Sequence, residues 1–233
     1  MKRRISFVLA IAAIILGGCA TPQQALELAG EALTPQSGKV GIAMAQIPKA
    51  DTYFPGASCL LCFGAAALAN SKLTAHTQTL SNEDLPKLKN EIASLLSEQG
   101  VQTQVIEEVI DVSALPSFSS KEANIARKNF DAFRTKYSID KLIVIAITGH
   151  GFVRSYSAYI PTSDPKGVLN GIGYMVDLAS NRYEWYQPVL IFKSADGEWD
   201  EPPQFPGLTN AYFQAVETGK DILLKPFVGK APQ

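Results

Sequence analysis

Residues 141–148 read KLIVIAIT. Leu142 to Ile147 form an unbroken apolar run, so a strand here has no side to turn toward water and is covered on both faces. Such a strand is the middle of a layered α/β domain, and the flanking segments supply its neighbours and its covers. Upstream, Lys39–Gln46 (KVGIAMAQ) alternates. Val40, Ile42 and Met44 share one face and Gly41, Ala43 and Ala45 the other, which predicts a strand with one tightly packed side. Val101–Val109 (VQTQVIEEV) alternates again and reads as another strand.

Helical patterns lie between these strands. After a loop through Pro48, Pro55 and Gly56, the chain from Ala57 to about His76 is apolar and Ala-rich, a good helix former. Ser81-Asn82-Glu83-Asp84 is an N-cap signal, Leu85, Leu88, Ile92, Leu95 and Leu96 follow at helical spacing, and Gly100 ends the element. Ser119 with Glu122 forms a capping box ahead of a stripe of Ala126, Phe130, Phe133 and Tyr137, which predicts a core-facing helix. Beyond the central strand, Phe152–Ile160, Gly167–Leu178 and Tyr183–Ser194 read as consecutive strands, the last two joined by a tight turn at Ser180-Asn181-Arg182. Gly207–Leu224 reads as a closing helix, with Tyr212, Val216, Gly219 and Leu223 on one face and Lys225-Pro226 as its stop. The order predicts an α/β fold: a mixed sheet flanked by helices, with parallel crossovers in the first half and an antiparallel meander in the second.

The amino terminus sets the compartment. Met1 is followed by Lys2-Arg3-Arg4, an apolar run from Ile5 to Leu16 broken only by Ser6, and then Gly17-Gly18-Cys19. A charged start, a short apolar stretch and small residues make a secretory signal, and a run of about 12 residues falls short of the roughly 20 a membrane span needs. Leu16-Gly17-Gly18-Cys19 resembles the bacterial lipobox, which implies cleavage between Gly18 and Cys19 and acylation of Cys19. Ala20 rather than Asp follows the cysteine, and by resemblance to the sorting rule of enteric bacteria this implies the periplasmic face of the outer membrane. The organisation expected is a signal peptide over 1–18, a lipidated cysteine and tether over 19–38, and a periplasmic α/β domain over 39–233. Within the tether, Gln24–Leu33 has a short helical pattern, broken by Thr34-Pro35-Gln36-Ser37-Gly38. Removing 1–18 takes away three of the 21 Lys+Arg and none of the 22 Asp+Glu, so the remaining chain is acidic and carries no basic footprint for nucleic acid.

Cys59-Leu-Leu-Cys62 is the motif with the most chemistry in it. With Cys19 consumed by lipid, Cys59 and Cys62 are an even pair in an oxidising compartment, and a disulfide between them is expected. The spacing also resembles thioredoxin-like redox motifs, although Pro48–Ser58 separates it from the nearest strand. A metal site needs further ligands, and His76 and His150 are the only histidines, neither paired in sequence with the cysteines. No metal or cofactor is expected. Thr148-Gly149-His150-Gly151 follows the central strand, where open α/β sheets bind ligands, but no hydrolase pattern accompanies it, and Asp164, Asp177 and Asp196 fall in or beside turns. His150 therefore reads as part of a turn into the meander. Ala65–Ala69 is expected to pack on the sheet, the alternative being a flat small-residue face for a partner. Trp185-Tyr186 and Tyr156 with Tyr159 place aromatics on neighbouring strands, as cross-strand pairs or as the lining of a glycan groove.

Three stretches resemble a group of periplasmic α/β domains that includes the curli secretion-channel lipoprotein, the lipoprotein activators of peptidoglycan synthases and the amino-terminal domain of the Tol translocation protein. They are KVGIA (Lys39–Ala43), LLSEQGVQTQVIE (Leu95–Glu107) and the hairpin from Gly173 to Trp185, with Val176-Asp177 and Ser180-Asn181 before Trp185. The insert Thr52–Asn70, which holds the cysteines, is outside the shared pattern. The resemblance implies a non-enzymatic role: an accessory or assembly factor of an envelope complex, with self-association among its expected partnerships. The other readings are a thiol–disulfide factor built on Cys59 and Cys62, and a subunit of an oligomeric secretion channel.

Overall fold

A computed structural model describes residues 22–229. The expected lipidation and cleavage positions, Cys19 and Gly18, lie outside the described residues. The chain forms a mixed sheet with helices on both sides. Its strands are β1 (Val40–Met44), β2 (Asp51–Tyr53), β3 (Thr103–Val105), β4 (Lys141–Val153), β7 (Lys166–Asp177) and β8 (Arg182–Ser194), and a separate small hairpin joins β5 (Tyr156–Ser157) to β6 (Ile160–Pro161). The order across the sheet is β3-β1-β4-β7-β8, with β2 also on β4. β1 and β2 lie end to end along the same side of β4. β1 runs parallel to Lys141–Ile145 and β2 runs parallel to Gly151–Val153. The β4-β7-β8 half is antiparallel. Parallel first half and antiparallel second half are as the element order predicts.

β4 is buried on both faces, and its alternation divides two cores. Ile143, Ile145 and Ile147 meet Val40, Ile42 and Met44 of β1, Met175 and Trp185 of the hairpin, and the helices α3 (Leu88–Glu98) and α5 (Pro206–Leu224). Leu142 and Val144 meet Ala43, Tyr174, Val176, Ile106, Ala126 and Phe130 on the other side. α5 seats Tyr212, Val216, Gly219 and Leu223, the face expected from the spacing, and the chain leaves it through a 3-10 turn at Lys225–Phe227.

Five local expectations change. The helical stretch from Ala57 divides into α1 (Leu60–Ala69) and α2 (Ser71–Thr77) at Asn70. The Asn70 amide donates to the Ala66 carbonyl and to the Tyr156 hydroxyl, and this side-chain competition ends the first helix. The Ser119/Glu122 capping box caps nothing: residues 119–129 are irregular, and only α4 (Asp131–Tyr137) is helical. Glu122 is drawn instead to Arg182, and Asn181 takes over the backbone of the segment.

Gly149-His150-Gly151 is not a turn. β4 continues through it to Val153 across a bulge between Ile147 and Gly149, so β4 is itself the first strand of the meander, and Phe152–Ile160 is not a strand of its own. Gly151, at φ 129, lets the Asp51 backbone approach where a side chain would collide, and this is what admits β2 alongside. Finally, no helix forms over Gln24–Leu33, and residues 22–38 are docked. Leu26 exchanges both backbone hydrogen bonds with Tyr186 at the β8 edge, Leu28, Ala32 and Leu33 pack on the first core, and the Ala32 carbonyl accepts from Lys141 Nζ, 3.0 Å away.

Candidate functional site

The residues singled out by sequence go to three separate places. Cys59 and Cys62 lie beyond the carboxyl end of β4 and are joined by a disulfide, Cα to Cα 4.9 Å. Cys59 is the exposed N-cap of α1, its sulfur accepting from the Cys62 amide at 2.9 Å, while Cys62 is buried with Ala57, Ala66 and Tyr156 in a small cluster apart from both main cores. The far end of α1 is held by Asn70, whose carbonyl oxygen accepts from Arg154 at 3.0 Å. The Arg154 guanidinium in turn lies 4.8 Å from the Trp199 ring centroid. Between these two clamps α1 stands out from the body. Cys62, Ala66 and Asn70 are its seated stripe, and Leu60, Leu61, Phe63 and Leu68 are exposed. Ala65–Ala69 therefore does not pack on the sheet: Ala66 alone of the five is buried. Tyr159 and Ile160, exposed at the tip of the β5–β6 hairpin, lie beside the start of α1, with the Tyr159 hydroxyl 3.8 Å from Cys59 Sγ.

His150 is fully buried inside β4. Its Nε2 donates to the Pro48 carbonyl at 2.9 Å, and its Nδ1 lies 3.1 Å from the Tyr212 hydroxyl, which also reaches the Ser81 carbonyl. Burial pushes the imidazole pKa down and the Tyr212 hydroxyl up to about 12, so this trio ties β4 to α5 and to the loop before α3 in neutral form. His76, its pKa also lowered by burial, contacts Thr209 at 2.7 Å and stacks on Phe152. Asp177 caps the turn through Ser180. His76, His150 and Asp177 all serve packing.

The aromatics do not share a groove. Trp185 is buried against Phe227, centroids 5.0 Å apart, whereas Tyr186 faces the opposite side of the sheet beside Tyr174 and Tyr183. Adjacent residues of one strand point to opposite faces, so the pair divides between the two cores. Tyr156 and Tyr159 belong to the distant hairpin.

Two features were not legible as sites. A cleft of about 250 Å³ opens at the carboxyl ends of β1 and β3, with Lys89 paired to Glu107 on its wall. A groove of about 840 Å³ lies between Pro22–Gln24, the 120–127 segment, Tyr183 and Tyr186. Both depend on chain segments far apart in sequence. Among the described residues no group of His, Cys, Asp and Glu is arranged to hold a metal ion, and no helix is long and apolar enough to cross a membrane.

Fold and surface together define a mixed α/β sandwich that carries a stapled, exposed apolar helix at the carboxyl end of its central strand. No family model matches the chain, and no curated protein matches it significantly. Among solved structures it is similar to the PelC dodecamer from Paraburkholderia phytofirmans, at 9% identity and TM-score 0.36 over 89% of this chain and 97% of that one. It is also similar to lipoprotein GNA1162 from Neisseria meningitidis, at 13% identity and TM-score 0.31 over 77% and 95% of the two chains. A third is protein XCC0632 from Xanthomonas campestris, at 9% identity and TM-score 0.33 over 88% and 94%. Likeness at this level says nothing of what the chain binds.

Proposed function

We propose that the chain is a lipid-anchored envelope lipoprotein, held at the outer membrane through Cys19, whose α/β domain is a non-enzymatic accessory or assembly factor of a larger envelope complex. One observation carries the reading: Leu16-Gly17-Gly18-Cys19 lies only three residues ahead of Pro22, and from Leu26 onward the chain is docked on the domain. Cys19 acylation would hold the domain directly on a membrane surface, where two or three acyl chains give stable attachment. The structural employment of His150, His76 and Asp177 supports a binding role over catalysis. Cross-linking in intact cells, mild-detergent purification and mass spectrometry test it. A recurring set of envelope proteins, or a ladder of self-linked species, is expected, with both lost in Cys19→Ser. A lone monomer without a recurring partner would refute the accessory role, and a detergent-stable ring would replace it with a channel subunit.

A redox reading has one observation in its favour. Cys59 is exposed at a helix N-terminus and Cys62 is buried behind it, the arrangement in which an outer thiolate attacks and an inner one resolves. A folded Cys59→Ser/Cys62→Ala variant that retains the cellular role would exclude it.

A further inference from the structure

The exposed apolar surface of α1 is wide, convex and uncharged. At 3.6 residues per turn, the seated stripe of Cys62, Ala66 and Asn70 occupies about a quarter of the circumference. Every residue of α1 on the remaining arc is apolar, and Leu60, Leu61 and Leu68 are 88%, 73% and 78% exposed. The 20 residues from Thr52 to Ser71 contain no charged side chain. Apolar surface of this extent marks an interaction site. Its shape limits what covers it. A protein face covers a ridge on one side unless it offers an apolar groove. Four clefts of this chain's own described surface each carry charge on their walls instead: Lys89 with Glu107, Lys121 with Glu122, Glu198 with Asp200, and Asp51 in a cleft that α1 itself walls with Phe63 and Ala67. A fluid hydrocarbon boundary closes around a ridge from all sides.

The geometry points to a phospholipid bilayer as the occupant: α1 and the hairpin tip Tyr159-Ile160 enter the headgroup–acyl boundary of the membrane that Cys19 anchors. The inference rests on the lipidation of Cys19. Two residues, Ala20 and Thr21, separate Cys19 from Pro22, a reach of about 10 Å, so the bilayer is within range of the domain whenever the anchor is engaged. The docked segment meets β8 at Tyr186, level with Tyr174 and so with Val144, whereas α1 lies past Val153. The two contacts are thus about 30 Å apart along the strand direction. Anchored at one point and immersed at the other, the domain lies with its strands along the membrane rather than swinging on a tether. Tyr159 suits this placement, since tyrosine gathers at membrane–water interfaces. The disulfide at one end of α1 and the Asn70 clamp at the other keep the helix formed as its surroundings change.

The test uses the full-length processed lipoprotein carrying Leu68→Trp, reconstituted into phosphatidylethanolamine–phosphatidylglycerol vesicles doped with acyl-chain-brominated phosphatidylcholine. Flotation reports the anchor, and quenching of the added tryptophan reports α1, because a helix at this depth reaches the acyl boundary. The expected result is flotation with loss of the Leu68→Trp emission, while Val109→Trp, an exposed position beside β3, keeps its emission. Leu60→Trp, on the same arc, gives the same reading if Leu68→Trp folds poorly. Flotation without quenching at either position overturns the immersion of α1 and leaves the anchor standing. Protection of the same tryptophans in an oligomer or with a co-purifying protein overturns it in favour of a protein partner. Failure of the unmodified chain to float refutes the lipid anchor and this inference with it.

Discussion

Breaking the Cys59–Cys62 bond should loosen α1 and leave the rest of the domain alone. The bond closes a loop of only four residues, for which the chain-entropy relation gives about 2 kcal/mol. A Cys59→Ser/Cys62→Ala variant isolates that term. Serine keeps an acceptor at the N-cap for the amide that Cys59 Sγ now receives, and alanine keeps the buried stripe small and apolar. A helix of ten residues does not persist by itself, so α1 depends on its seat, and that seat is a cluster of Ala57, Cys62, Ala66 and Tyr156 separate from both main cores. Opening is therefore local. Hydrogen exchange at the amides of residues 62–70 should accelerate about 30-fold, the ratio that 2 kcal/mol corresponds to. Protection in α5 and β7, and the midpoint of global unfolding, should not move. Equal loss of protection in α1 and α5 would show that α1 is part of the cooperative core, and unchanged exchange in α1 would show that the Asn70 clamp alone holds it.

Asn181 is the buried hub of the irregular segment that covers the second core. It donates to the Ala126 and Lys128 carbonyls and accepts from the Phe130 amide, at φ 56. Asn181→Ala leaves three backbone groups unpaired, at about 1–3 kcal/mol each, and should cost at least about 3 kcal/mol in urea unfolding; Asn181→Gly should recover about 1 kcal/mol of this. Both histidines have pKa values lowered by burial, so the unfolded chain takes up protons first and stability should fall as pH drops from about 7 to 5. Asp84, Glu108 and Asp111, held below their ordinary values by hydrogen bonds to Lys87, Lys136 and Ser113, act only at lower pH. Thermal melts of His150→Gln at the two pH values should show a smaller drop than wild type. Gly173→Ala places a methyl against Trp185 and Leu223 and should destabilise by about 1–3 kcal/mol, seen as a lowered Tm with native-like secondary structure.

What the sequence determined by itself was everything that rests on short-range periodicity. The two-sided apolar run at Leu142–Ile147 marks a central strand because no other environment accepts it. The alternation of Val40–Met44 and the spacing of Ile92, Leu96, Tyr212 and Val216 then assign the faces that meet it. Tertiary structure decided whatever depends on partners distant in the chain. Gly149-His150-Gly151 has turn-like composition, yet it extends a strand because Asp51–Tyr53 and Tyr212 arrive beside it. Ser119 and Glu122 have the spacing of a cap, but Arg182 and Asn181 offer that segment better bonds. Residues 22–38 have the composition of a tether and are held by a strand edge 160 residues away at Tyr186. The exposure of α1 is of the same kind: its composition is that of a core helix, and only the absence of any covering element over Leu60, Leu61 and Leu68 among the described residues turns it into a surface. Local pattern records what a segment would bury, and the path of the remaining chain settles what is there to bury it.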